Sequence, residues 1–204
     1  MNNLNFGNAR YQYYETICSG SPAGPGFPGT DAVHTHMTNT RLTDPEILEF
    51  RYPVLLEDFH IRKDSGGRGQ RNAGSGIRRT IRFLEKMECT LLTGHRRVPP
   101  FGLAGGGDGQ IGENWVRRTD GRMEKLQGCD ATMIDANEAI IIQSPTAGGY
   151  ERLRRRAFCG GATSGARSLQ RPRRSRKPAT RAPQCRGISR HRNGAAWPAA
   201  HPPD

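Results

Sequence analysis

Hydrophobic residues along this chain recur mainly with a period of two. Leu4 and Phe6 alternate with polar neighbours near the start, as at the end of a strand. Past Pro53, Leu55, Phe59 and Ile61 share one face, and Asp58, His60 and Arg62 the other. Ile77, Ile81 and Phe83 alternate with Arg78, Thr80 and Arg82, and Met87, Cys89 and Leu91 alternate with Glu88, Thr90 and Leu92. Such alternation predicts half-buried antiparallel strands, with Glu85-Lys86 as a turn between the last two. Residues 115–118 and 123–126 flank Asp120-Gly121, a strong hairpin signal. Residues 131–135 and 139–143 flank Asn137, which tolerates the left-handed conformation of a turn. One short helix is predicted. Either Thr43 with Glu46 forms a capping box, or Asp44-Pro45 supplies an N-cap followed by proline at the first helical position, and Tyr52-Pro53 ends it. The expected fold class is α+β and β-dominated, with antiparallel strands, hairpins, one short helix and long Gly-rich loops.

Two regions escape this pattern. Residues 13–49 have almost no hydrophobic periodicity. Within them SGSPAGPGFPGT (19–30) holds four glycines and three prolines, which excludes helix and central strand. Backbone amides of such a run can cradle phosphate, but the chain has no G-x-x-x-x-G-K-[ST] motif, and a turn-rich connector explains the run as well. From residue 151 onward no period survives, and Arg, Ala and Pro dominate, so this tail is expected to be disordered. Two segments are therefore expected: a domain over 1–150 and a tail over 151–204.

Charge sharpens that division. The tail carries 14 Lys/Arg against 2 Asp/Glu, whereas residues 1–150 carry 17 of each, so the whole formal charge of +12 belongs to the tail. The sequence pI of 10.3 and mean hydropathy of −0.74 therefore describe neither segment, and the body has no excess basic charge to attract nucleic acid. The tail can bind nucleic acid non-specifically and with steep salt dependence. Five scattered cysteines, an odd number without a C-x-x-C pair, argue against a disulfide framework and a thiolate zinc site. The first ten residues show no secretory signal, and the most apolar run, 139–142, is too short to cross a membrane, which takes roughly 20 residues. A soluble, cytoplasmic protein is expected.

Candidate chemistry collects in the aperiodic stretch. His34 and His36, two apart, fall on one face of an extended segment and, with Asp31, can ligate a metal. They can equally act as acid and base, orient a substrate, or bond loop carbonyls. Arg41 suits a carboxylate or a pairing with Asp44 or Glu46, and Asn39 suits an amide. Glu15 is a further polar candidate. Cys18 lacks an evident activating base and reads as a small buried thiol. Arg96, Arg97 and the glycines 105–107 form either an anion site or a solvated turn.

The stretch YYETICSGSPAGPGFPGTDAVHTHMTNTRLTDPEILEFRYPV resembles the signature segment of the hydantoinase B/oxoprolinase family, B-type subunits of ATP-dependent 5-oxoprolinases and N-methylhydantoinases with relatives among acetone carboxylases. SGGRGQRNAGSGIRR, RRVPPFGLAGG and SPTAGGY resemble later landmarks of that family in the same order. The resemblance covers about residues 1–150. It implies an ATP-dependent hydrolase opening a cyclic amide such as 5-oxoproline or a hydantoin. ATP and a divalent metal (Mg or Mn) are then bound mainly by a partner A-type subunit, and Asp31, His34, His36, Asn39 and Arg41 are the site residues. It also implies that Met1 lies inside a longer subunit, so that this chain is a C-terminal portion, inactive alone. The family's GGYG-like ending is replaced after Tyr150, which reads as a frameshift. Two alternatives are a non-catalytic protein using its basic tail on nucleic acid and an acetone-carboxylase-like carboxylase subunit.

Overall fold

The computed structural model describes residues 1–35, 38 and 40–153, all within the first of the chain's two units, Met1–Phe158. The tail beyond residue 153, with the expectations placed on it, lies outside the described residues.

The strands are β1 (Asn2–Gly7), β2 (Gln12–Thr16), β3 (Val54–Ile61), β4 (Ile77–Phe83), β5 (Met87–Thr93), β6 (Glu113–Arg117), β7 (Met123–Leu126), β8 (Cys129–Ile134) and β9 (Ala139–Gln143), with one helix, α1 (Pro45–Arg51). They form a four-stranded sheet, β2-β1-β5-β8, and a five-stranded sheet, β3-β4-β9-β6-β7, antiparallel throughout. The fold is thus β-dominated with one short helix, as the alternation predicted.

Each sheet buries one face against the other. Leu4, Phe6, Met87, Cys89 and Leu91 of the first sheet share one core with Val54, Ile77, Ile81, Phe83, Val116 and Ile140 of the second. The Phe6 and Phe83 rings meet edge-on across the gap, 5.2 Å between centroids, a favoured aromatic geometry. The turns at Glu85-Lys86 and Asn137 do not join strand neighbours. They carry the chain from one sheet to the other, because β4 and β5, and likewise β8 and β9, lie in different sheets. Strands with strongly apolar faces bury more area facing each other than side by side. Asn137 has the expected positive φ of 69°, and Asp120-Gly121 does close the β6–β7 hairpin.

Two local readings change. The aperiodic stretch begins with a strand, β2, whose core-facing positions are Tyr13 and Glu15; a carboxylate at a buried position concealed the alternation. In β3 the register shifts between Leu56 and Asp58. This bulge places Leu56 opposite Ile81 and Leu55 opposite Arg82, so Leu56 rather than Leu55 packs on the core.

The helix start is settled in favour of Asp44. Its side chain accepts from the Glu46 N–H at 3.0 Å, proline follows, and Tyr52 turns extended (φ −128°, ψ 144°) to end the helix. Asp44→Ala is expected to cost about 1 kcal/mol in urea denaturation; an unchanged midpoint would assign the cap to Thr43.

Candidate functional site

Four glycine-rich segments, 19–30, 65–76, 100–109 and 144–150, meet backbone to backbone. Gly29 N donates to Asn72 O, Gly74 N to Ser21 O, Ala23 N to Gly148 O, Gly67 N to Ala147 O, and Gly107 N to Arg68 O. Here glycine is required by proximity. A Cβ on Gly74 would lie 1.9 Å from the Thr30 carbonyl oxygen, and one on Gly148 1.9 Å from that of Phe101.

The packing spends the donors that an anion would need. In the 19–30 run the amides of Ser21, Ala23, Gly24, Phe27 and Gly29 donate to backbone carbonyls, and that of Thr30 to Ser21 Oγ. The run is therefore a connector. Arg96 is likewise engaged, donating to Asn114 Oδ1, Asn2 Oδ1 and Gly94 O. Burial, reinforced by nearby Arg62, lowers its guanidinium to about 10. Gly106 and Gly107 donate to Leu103 O and Arg68 O. Arg96 thus braces the fold, and neither it nor these glycines forms an anion site.

The residues of DAVHTHMTNTR separate. Asp31 lines a polar cavity of about 450 Å³ with Lys63, Asp64, Arg68, Asn72 and Ser75, and its carboxylate accepts from the Ser75 N–H at 2.5 Å. His34 and Arg41 line a different cleft of about 460 Å³, with Cys18, Leu42, Phe59 and Ile61 among its walls. The division has a local cause. Ala32 sits at φ 47°, a conformation uncommon for residues other than glycine, and the backbone turns there instead of running as a strand. Only Val33 makes a bridge, to Ser19. Asp31 and His34 accordingly line different cavities. His36 and Asn39 lie outside the described residues.

His34 is the unusual group in the cleft. Both ring nitrogens are buried without a hydrogen-bond partner among the described residues, so the carbonyl-bonded reading does not describe it. A neutral imidazole offers one donor and one acceptor, and leaving both unused costs on the order of 1–3 kcal/mol each, unless a ligand or water completes them. Arg41 is exposed and forms no ion pair with Asp44 or Glu46 among the described residues. Burial pushes the Cys18 thiol up, which keeps it protonated and unreactive.

Beneath this cleft lies a pair that sequence reasoning missed. Arg79, 1% exposed, faces the core from β4 and approaches Glu15 of β2, Nη2 to Oε2, at 3.1 Å. Its guanidinium also lies 5.4 Å from the Phe59 ring centroid, a cation–π distance. The signal was present in the alternation itself, since Arg79 shares a face with Ile77, Ile81 and Phe83. Glu15 Oε1 also accepts from the Thr43 N–H at 3.1 Å, and Tyr13 donates its hydroxyl to Thr43 Oγ1 at 2.9 Å.

Among the described residues no group of three His, Cys, Asp or Glu is placed to hold a metal, and most amides of the 19–30 run donate to protein acceptors.

Comparison with known proteins places this geometry. The family model described as Hydantoinase B/oxoprolinase matches residues 1–152. The chain is 44% identical over 150 residues to the 5-oxoprolinase of Dictyostelium discoideum, covering 74% of this chain and 12% of that protein. Its fold resembles the ATP-dependent caprolactamase from Pseudomonas jessenii, with a TM-score of 0.63 at 24% identity over 74% of this chain and 28% of that one. It also resembles acetone carboxylase, with a TM-score of 0.63 at 14% identity over 74% of this chain and 25% of that one. At such identities the likeness is one of fold. The chain spans about an eighth of the 5-oxoprolinase it matches.

Proposed function

The chain belongs to the hydantoinase B/oxoprolinase family, and from that premise we propose that residues 1–150 are the C-terminal part of a B-type subunit that opens a cyclic amide such as 5-oxoproline or a hydantoin. The observation that carries the reading is His34, which lines a cleft of about 460 Å³ beside Arg41 and whose two buried ring nitrogens have no hydrogen-bond partner among the described residues. An imidazole so placed can donate to a ring carbonyl or take the proton of an attacking water. The exposed guanidinium of Arg41, without an ion pair among the described residues, suits a substrate carboxylate, and Leu42, Phe59 and Ile61 suit ring methylenes. Asp31 serves in the adjoining polar cavity, and His36 and Asn39 complete the set proposed from the sequence.

In keeping with the family, ATP and a divalent metal, Mg or Mn, are assigned mainly to an A-type partner subunit or to parts of the B-type subunit outside this segment, and the chain alone is proposed to be inactive. No helix among the described residues is long and apolar enough to cross a membrane, and the proposed location is the cytoplasm. The fold shared with acetone carboxylase supports carboxylation of a small carbonyl substrate as the second reading.

A chimera tests both. Residues 1–150 replace the matching segment of the Dictyostelium enzyme, and ATP-dependent ring opening of 5-oxoproline is measured. The expected result is retained turnover that falls to background in the His34→Ala chimera with its thermal unfolding unchanged, and no turnover by the 204-residue chain alone. A folded chimera without ring opening, or His34→Ala without effect, overturns the assignment. Bicarbonate-dependent carboxylation of acetone by the chimera favours the second reading.

A further inference from the structure

Thr40, Arg41 and Leu42 form one wall of the cleft, and with Thr43 they make a run that belongs to neither sheet. Leu42 packs against the core, and the polar attachment of the run to the sandwich passes through three contacts. Glu15 Oε1 accepts from the Thr43 N–H, the Tyr13 hydroxyl donates to Thr43 Oγ1, and the Thr16 and Thr40 hydroxyls lie 3.3 Å apart. All three anchors project from β2, the edge strand of the first sheet. Glu15 is central because its other oxygen meets Arg79 in the core. A carboxylate between a buried guanidinium and a backbone amide has little freedom to rotate, so the position of Thr43 is referred to the core itself.

We propose that Glu15 is the positioning residue of the cleft: it fixes the Thr40–Thr43 wall, and through it Arg41, against His34 and Cys18. The significance for catalysis rests on the reading of this cleft as the substrate site, but the geometry can be tested without substrate. The three described cysteines provide the measurement. Cys18 is buried in the cleft, Cys89 is buried between the sheets, and Cys129 is exposed. Displacing the Thr40–Thr43 wall uncovers Cys18 alone, whereas global unfolding uncovers Cys18 and Cys89 together.

The experiment is alkylation of the full 204-residue chain by iodoacetamide under native conditions, with peptide mapping by mass spectrometry to follow each cysteine. Removing a hydrogen bond to a charged acceptor is worth roughly tenfold or more in a local opening equilibrium. Glu15→Ala is therefore expected to raise the Cys18 rate about tenfold relative to Cys89. Glu15→Gln keeps an acceptor for the Thr43 N–H and is expected to hold the ratio of the Cys18 to the Cys89 rate within about threefold of wild type, although the loss of Arg79's counter-charge raises both rates together through global unfolding. Tyr13→Phe leaves the ion pair untouched and is expected to raise Cys18 labelling several-fold, which keeps the test decisive should Glu15→Ala fail to fold. Cys18 and Cys89 rising in step in every variant, Cys18 unchanged in Glu15→Ala and Tyr13→Phe, or no rescue by Glu15→Gln overturns the proposal. Since no substrate is present, these outcomes stand apart from the ring-opening result.

Discussion

Arg79→Ala is expected to lower the unfolding free energy by about 3–5 kcal/mol, the loss typical of removing one partner of a buried ion pair. The reason lies in what remains. Glu15 is 5% exposed, and without Arg79 its carboxylate keeps only the Thr43 N–H among the described contacts, with no counter-charge beside it. The pair contributes less than its partners' isolation costs. Arg79 Nε and Nη2 make no aligned hydrogen bond, so the 3.1 Å approach to Glu15 is chiefly Coulombic, offset by the desolvation of both ions. The double variant Glu15→Met/Arg79→Met removes both charges at similar volume and is expected to recover most of the loss. Urea denaturation of the two single variants and the double variant, read as a cycle, measures the coupling. Additive losses would show that the two charges do not interact across the sheets.

Gly74→Ala is the second large effect, expected to cost at least about 3 kcal/mol, at or beyond the upper range for overpacking. The added Cβ would meet the Thr30 carbonyl oxygen at 1.9 Å, and backbone cannot move aside as a side-chain tip can. Relief requires the 19–30 and 65–76 segments to separate, breaking the Gly74–Ser21 and Gly29–Asn72 hydrogen bonds. Gly26→Ala is the control. Gly26 has φ +86° and open space around its Cβ position, so only the conformational penalty applies, about 1 kcal/mol. Equal midpoints for the two variants in thermal or urea unfolding would show that the glycine layer yields more readily than its close contacts imply.

Much of the fold was legible because its cues are local. Period-two alternation identified most of the strands, Asp120-Gly121 its hairpin, and Thr43-Asp44-Pro45-Glu46 the start of the helix, with the capping residue left to the structure. β2 was missed because Tyr13 and Glu15 do not read as an apolar stripe, and the β3 bulge was missed because a register shift leaves no mark on composition. For the site, the sequence pointed to DAVHTHMTNTR, and within it His34 and Arg41 do share a cleft. Asp31 was grouped with them because it lies near in sequence, but the backbone turns at Ala32 (φ 47°) and Asp31 lines a different cavity.

By itself the sequence determined the family, the alternating faces of most strands, the glycine-rich connections and the helix boundaries, since each depends on residues a few positions apart. Only the tertiary structure decided which sheet each strand joined, that Arg79 meets Glu15 across the core, and that Asp31 and His34 open into separate cavities. Those outcomes depend on surfaces brought together from distant positions, where the gain from burying an apolar face or pairing a charge belongs to both partners at once and is written in neither segment alone.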